Sequence, residues 1–511
     1  MAARLLAAVL LGFIGLAAAI ASGRVGADPV TLQARIDSAA PGDTVTIEGG
    51  AYQEHIIINK PLSLIGVGTP VIDGGGEGDV VTIIGVGGVT LSGFEIRNSG
   101  RAVSQEGAAI KVVNAHEPTI RSNKIRDSLY GIHMTGSHHA TIAFNDIDQG
   151  ADIPQERRGH GIYLWEVEGA AVHANTITHS GDGIHLEFSD DNGIGQNTVT
   201  GSRYALHFMS SDNNRVLKNT FQDNLAGAVL MFSHDLLVKD NELSSNRKGA
   251  SGAGMLIKDV DNIFVEGNSI LRNKYGITVE GTPNSANASA TFIANTLALN
   301  DTGIGLFTNA PITFVENAMI ENTVQVQALS GALGHGAATS TASGANTSHN
   351  GHSGQSGSQS VPTPSASSRP ESAVWTLSGR GNYWSDYSGY DANGDGVGDR
   401  PYEPRPPFAG ALTNSESLRL FQFTVAQQAI DVAADMFPVY EYDAVMRDSG
   451  PLMEAPGPAL ARGTALNANL LIVSALLLLL SAALLQAFLD FDPAGPLARV
   501  FGRWPGLAGR S

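Results

Sequence analysis

Along most of the chain, apolar and polar residues alternate in runs of a few positions bounded by Gly, Asn, Ser and Asp; Ile184, Leu186 and Phe188 are typical. Period-two alternation of this kind predicts β-strands with one buried face. Between Asn123 and Asn317 the runs fall into step. Asn123, Asn145, Asn175, Asn197, Asn219, Asn241, Asn268, Asn295 and Asn317 recur, and a small residue followed by an apolar one begins at Gly131, Gly161, Gly183, Ala205, Gly227, Gly254, Gly276 and Gly303. From the Asn to the small residue is 8 residues in six of eight copies, and from there to the next Asn is 14 in seven of eight. A repeat near 22 residues, rich in Gly, Asn, Thr and β-branched residues, excludes a helical solenoid. It predicts an all-β, right-handed parallel β-helix over residues 28–329, with the repeated Asn stacked from coil to coil at a turn.

The flanks predict additions to this core. Arg4, the apolar run Leu5 to Ile20 and the small residues around Ala21 read as a signal peptide over 1–21. Val30 to Ala40 is amphipathic and suits a cap on the first coil, and Thr44 to Ile47, His55 to Ile58, Leu62 to Ile65 and Val71 to Asp73 read as early coils. Insertions around Gly150 to Arg158 and Asn246 to Gly252 interrupt the spacing just before the repeated strand and would wall one face. Another, Gly281 to Ala290, follows it. Residues 330–370 collapse to Ser, Gly, Ala, Thr and Pro, a flexible insertion, before a final coil over 371–406. Leu418, Phe421, Val425, Ala429, Val432 and Met436 predict an amphipathic helix within 407–466. The apolar stretch 467–489 is long enough to cross a bilayer, and Arg499, Arg503 and Arg510 place the tail 490–511 in the cytoplasm. The expectation is a periplasmic body anchored to the inner membrane by that C-terminal helix.

Charge and chemistry narrow the function. A net charge of -18 argues against nucleic acid and is compatible with attracting cations. Cysteine is absent, so a soft-metal site must use His and Met. Strand alternation directs His133 and Thr135, Tyr163 and Trp165, His185 and Glu187, His207 and Met209, and Val229 and Met231 to the solvent side. With coils about 4.8 Å apart, His185, His207, Met209 and Met231 form an exposed set suited to transient Cu(I). His133, His160, Tyr163, Trp165 and Glu187 line the adjoining groove. The same row would also suit a sugar.

Further on, Asp391, Asn393, Asp395, the Val397 carbonyl and Asp399 alternate around a glycine turn like a calcium loop, although Tyr402 stands where a bidentate Glu closes such loops. That loop lies in the segment GNYWSDYSGYDANGDGVGDRPY, from Gly381 to Tyr402. Together with the Asn-Gly coils, this segment resembles the NosD family of periplasmic proteins required for maturation of nitrous oxide reductase. The resemblance covers most of the mature chain, departing in the 330–370 insertion. It implies copper-site assembly in the apo-reductase and an ABC transporter with membrane and ATPase subunits, supplied by a copper chaperone. It also implies a non-catalytic chain, and no P-loop is present here.

The competing classes are a polysaccharide hydrolase, lyase or epimerase and a carbohydrate-binding surface protein. Gly159-His160-Gly161 and Asp190-Asp191 resemble polygalacturonase elements, but in reversed order and without a preceding Asn-Thr-Asp. Paired carboxylates at a definite separation are not identifiable.

Overall fold

The computed structural model describes residues 31–248, 252–308, 310–328, 373–404 and 446–456. The signal peptide, the low-complexity insertion, the amphipathic helix, the membrane span and the tail expected from the sequence lie outside these residues. Among the described residues no helix is long and apolar enough to cross a membrane.

Three strands make one coil, and every strand pairs in parallel with the third one before and after it. The result is a parallel β-helix of three sheets, with 13, 13 and 12 strands, here called sheets I, II and III in the order the chain visits them. Stacked inward residues build the core. Ile125, Ile147, Ile177, Val199, Phe221, Leu243, Ile270, Leu297 and Met319 pair in one continuous column down sheet II, and all are buried. Each such side chain stabilises the fold by roughly 1.5–3 kcal/mol. Where the chain turns from sheet II into sheet III, neighbouring coils approach too closely for a side chain. A Cβ at Gly183 would stand 2.4 Å from the Val199 side chain and 2.6 Å from the Ala205 carbonyl oxygen.

A short α-helix, Leu32–Ser38, closes the first coil as the amphipathic pattern predicts. Thr31 caps it by accepting from the Ala34 amide at 3.1 Å, and Leu32 and Ile36 are buried. The predicted Asn stack is present as a directed ladder. In each coil both the backbone N–H and Nδ2 of the Asn donate to Oδ1 of the Asn in the next coil, as from Asn197 to Asn219 at 3.0 Å. The series continues past Asn317 to Asn382, across the 330–372 stretch, at 2.9 Å. A parallel ladder that the repeat analysis missed joins Asn224, Asn246, Asn273, Asn300 and Asn322. Asn219→Ala removes the acceptor of two buried donors on Asn197. With roughly 1–3 kcal/mol for each of the two groups left unmatched, the expected loss is about 2–6 kcal/mol, read as a lower denaturant midpoint with normal secondary structure.

The far end is closed by residues 373–404 and 446–456, which include the Gly381 to Tyr402 segment. There Trp384 stacks on Tyr402 and Trp375 on Phe314. The buried Asp448 accepts from the Asn382 backbone at 2.7 Å, Trp384 Nε1 at 2.9 Å and the Thr376 hydroxyl at 2.7 Å. The segment that carries the family resemblance is thus the lid of the solenoid.

Candidate metal centre

Sheet III presents two rows of side chains away from the core. In the first, His133, Tyr163, His185, His207 and Val229 lie in register; in the second, Thr135, Trp165, Glu187, Met209 and Met231 do. The row assignments follow the expected alternation, but the exposure does not. His133 is 3% exposed, and His185 and His207 are 7% exposed each, so the first row is not a solvent-facing set. The reason is that register stacks the rings on one another. His185 lies 4.4 Å from His207 and 5.0 Å from Tyr163 by centroid, and Tyr163 lies 4.9 Å from His133. Met209 and Met231 form a second pair, half-buried, two residues further along the strands or roughly 6.6 Å away. Trp165, at 38% exposure, and Glu187 border it.

Beneath the first row is a group that the sequence reading overlooked. Asp182, directly before Gly183, is fully buried. Its carboxylate accepts from Arg203 Nε and Nη2 at 2.8 Å each and from His207 Nδ1 at 2.9 Å. His160 occupies the equivalent position one coil earlier. Its Nδ1 accepts the Asp182 amide at 3.3 Å, while its Nε2 faces His185 Nδ1, also at 3.3 Å. Donor atoms of His160, Asp182 and His185 all lie within 4.8 Å of one another, a separation compatible with one metal ion. The signal for this set was the 22-residue step from His160 to Asp182, just ahead of the small residue in each coil. Attention to the row after that residue passed it over.

The insertion at 150–158 holds the edge of this group. Gln155 Nε2 donates to the Ser180 carbonyl at 2.8 Å and Arg158 Nη1 to the Gly201 carbonyl at 3.2 Å, while Gln149 Nε2 donates to the His160 carbonyl at 2.6 Å.

The hydrogen bonds define which lone pairs are available. A carboxylate can only accept, so His207 Nδ1 carries a proton and the neutral ring offers its lone pair at Nε2. The His185 ring is nearly parallel to it, at 22°, and also turns Nδ1 toward Asp182, at 3.8 Å, so both Nε2 atoms lie on the side away from the carboxylate. His185 Nε2 is buried without any hydrogen-bond partner, as is His133 Nδ1. Burial lowers the pKa of His133 to about 4, of His160 to about 4 and of His185 to about 3, with neighbouring cationic groups adding to the effect. These imidazoles are therefore neutral at pH 7, the form that ligates metals. Burial alone would raise the Asp182 pKa, but the bonds from His207 and Arg203 outweigh it and keep the carboxyl ionised. Tyr163 is raised by burial and by donating to Glu187 at 2.7 Å, so it stays a protonated phenol.

The Asp-rich loop is exposed and far along the chain, in the lid. Asp391 accepts from the amides of Gly394 at 2.6 Å and Gly396 at 2.8 Å, Asp395 from Val397 at 2.8 Å, and Asp399 from Ala392 at 2.6 Å. Asn393 Oδ1 accepts from the Asp395 amide at 3.0 Å. These bonds set the shape of the turn. Asp190 and Asp191 fall at the corner after sheet III, on a different side of the strands from His160, so they do not assemble with it.

The family described as periplasmic copper-binding protein (NosD) matches residues 145–334. A Pseudomonas aeruginosa protein named probable ABC transporter binding protein NosD is 34% identical over 431 residues, spanning 80% of this chain and 88% of the relative. A Stutzerimonas stutzeri protein of the same name is 33% identical over 412 residues, spanning 80% and 86%. Among solved structures, the A-module of the Azotobacter vinelandii mannuronan C-5 epimerase AlgE6 is 16% identical, covers 59% of this chain and 91% of its own, and has a TM-score of 0.40. That likeness says nothing of activity. The extent and identity of the two sequence matches establish that this chain belongs to the NosD family of periplasmic copper-binding proteins.

Proposed function

We propose that the chain is a non-catalytic maturation factor that holds Cu(I) transiently on sheet III and presents it to apo nitrous oxide reductase. It would act with the membrane and ATPase subunits of an ABC transporter, supplied by a copper chaperone. The observation that carries this reading is His185 Nε2, a buried polar atom without a partner, stacked beside a histidine whose Nε2 is left as a lone pair by Asp182. Because His160 accepts the Asp182 amide through Nδ1, it donates from Nε2 to His185 Nδ1, so His185 Nε2 is a buried donor left unmatched at a cost of roughly 1–3 kcal/mol, a proton that metal ligation would displace.

The residues divide the work by position. Asp182 and His160 orient the imidazoles from beneath, as carboxylates and second imidazoles do behind many metal-bound histidines. Met209 and Met231 supply thioethers nearer the solvent, and soft ligands of this type favour Cu(I) over harder cations. A path from nitrogen to sulfur donors runs outward along the strand direction, toward the surface from which a partner could take the ion.

Met209→Leu/Met231→Leu keeps apolar bulk while removing both thioethers. The double variant is expected to fold normally and to bind Cu(I) at least tenfold more weakly in competition with a chromogenic Cu(I) chelator, a change of about 1.4 kcal/mol. Reductase matured with it under limiting copper should be copper-depleted. Full loading would exclude the Met pair from the route.

A further inference from the structure

The strands of sheet III end at a corner whose first residue in five successive coils is Glu166, Phe188, Ser210, Phe232 and Asp259. All five have left-handed backbone, with φ between 48° and 53°. Glycine or asparagine enters that region readily, whereas a bulky aromatic residue does so rarely. Phe188 was expected to continue the buried alternation of Ile184 and Leu186. Instead the left-handed turn rotates it outward, leaving it 54% exposed, and Phe232 is 46% exposed two coils on. Two aromatic rings are thus held where the backbone disfavours them and where the core gains nothing from them. The same backbone recurs at corners throughout the solenoid, at the exposed Phe144 and Leu299 among them, so what sets this corner apart is its pair of exposed rings beside Trp165, Met209 and Met231.

The surroundings specify the occupant. Trp165, Met209 and Met231 lie just before this corner on the same face. The flank beyond it is acidic: the Asp190 carboxylate accepts the Asp212 amide at 2.7 Å, Asp212 accepts the His234 amide at 2.8 Å, and Asp191 and Asp235 are exposed alongside. His234 reaches Asp212 at 2.7 Å and Asp235 at 2.8 Å. Carboxylates still outnumber the cations there. An apolar centre with a charged rim is the anatomy of a protein interface. Negative potential selects a basic partner and disfavours an anionic lipid surface.

We infer that this corner is the docking surface for the copper-receiving protein, which presents a basic rim around an apolar recess that takes Phe188 and Phe232. The inference rests on the copper-presenting role proposed above, since it places the partner beside Met209 and Met231.

The test uses the full chain and purified apo nitrous oxide reductase. Phe188→Asn/Phe232→Asn puts a residue suited to left-handed backbone at both positions. It should unfold at an equal or higher temperature and retain wild-type Cu(I) affinity, yet bind apo-reductase at least tenfold more weakly. Glu166→Gln/Asp191→Asn should slow association and flatten its dependence on salt. Unchanged reductase binding by the Phe variant overturns the docking site while leaving the copper reading intact. Conversely, a wild-type chain that binds no Cu(I), together with a Phe variant that loses the reductase, overturns the copper reading and keeps the docking site. Binding of the wild type to anionic vesicles that the Phe variant abolishes would replace the protein partner with a membrane and also overturn the inference.

Discussion

Replacing His185 and His207 together by alanine should abolish tight Cu(I) binding, and reductase matured with that variant should lack most of its copper. The expectation follows from position. Both rings turn Nδ1 toward one buried carboxylate, so both Nε2 atoms lie on the opposite side, and their spacing follows the 4.4 Å between ring centroids. Removing either ring leaves a single nitrogen; removing both leaves only the thioethers. Loss of two ligands worth at least tenfold each amounts to a hundredfold or more, about 2.7 kcal/mol. Fold is the confounder, because His207 anchors Asp182 and both rings are nearly buried. A His185→Gln/His207→Gln pair retains polar side chains of similar reach and controls for it. If the folded Gln variant loads copper as the wild type does, the ion is held elsewhere on the chain.

Asp182→Asn is expected to have the second largest effect, through a side chain that need not touch the ion at all. The carboxylate offers acceptors to Arg203 and His207 at once. An amide keeps the shape but offers one acceptor and one donor. Where the donor faces His207, the proton moves to Nε2 and occupies the ligand atom. The expected loss in Cu(I) affinity is about 10–100-fold, the usual range for a group that orients a ligand from behind. Stability should fall by only about 1–3 kcal/mol, because the freed Arg203 side chain is 44% exposed and can be hydrated. A purely structural role predicts that loss of stability and nothing else. Nitrogen NMR of His207 separates the two: a protonated Nδ1 in the wild type should become a protonated Nε2 in the variant. An unaltered tautomer with unaltered Cu(I) affinity would show that Asp182 serves only the fold.

Much of this architecture was legible because a solenoid writes its geometry as spacing. Once the Asn recurs at 22 residues, parallel register follows, and with it the side-by-side placement of His185 with His207 and of Met209 with Met231. Spacing carries no information about depth. Whether an outward residue is wet depends on what its neighbours in adjacent coils place over it, and rings stacked at van der Waals distance screened one another where alternation alone predicted exposure. Nor does alternation see the end of a strand. Phe188 keeps the period of Leu186, yet the strand ends one residue earlier, at Glu187, and the left-handed backbone reverses its direction. Asp182 was hidden for a different reason. Its neighbours in the row are His160 in the coil before and Tyr204 in the coil after, and a lone acid between rings looks like noise until the carboxylate is seen to hold Arg203 and His207.

The Asn ladder has a direction, and that has a consequence for how the chain is made. Each Asn gives its two donors to the following coil, as Asn295 gives to Asn317 and Asn317 to Asn382. During synthesis every coil therefore emerges with buried donors that only the next coil can satisfy, and a chain halted after residue 328 would leave Asn317 without its acceptor. Asp448 ends the series because its carboxyl group accepts from Asn382 and has no N–H to pass on. The β-helix is in that sense a growing polymer, and one carboxylate, encoded more than a hundred residues after the last regular repeat, is its terminator.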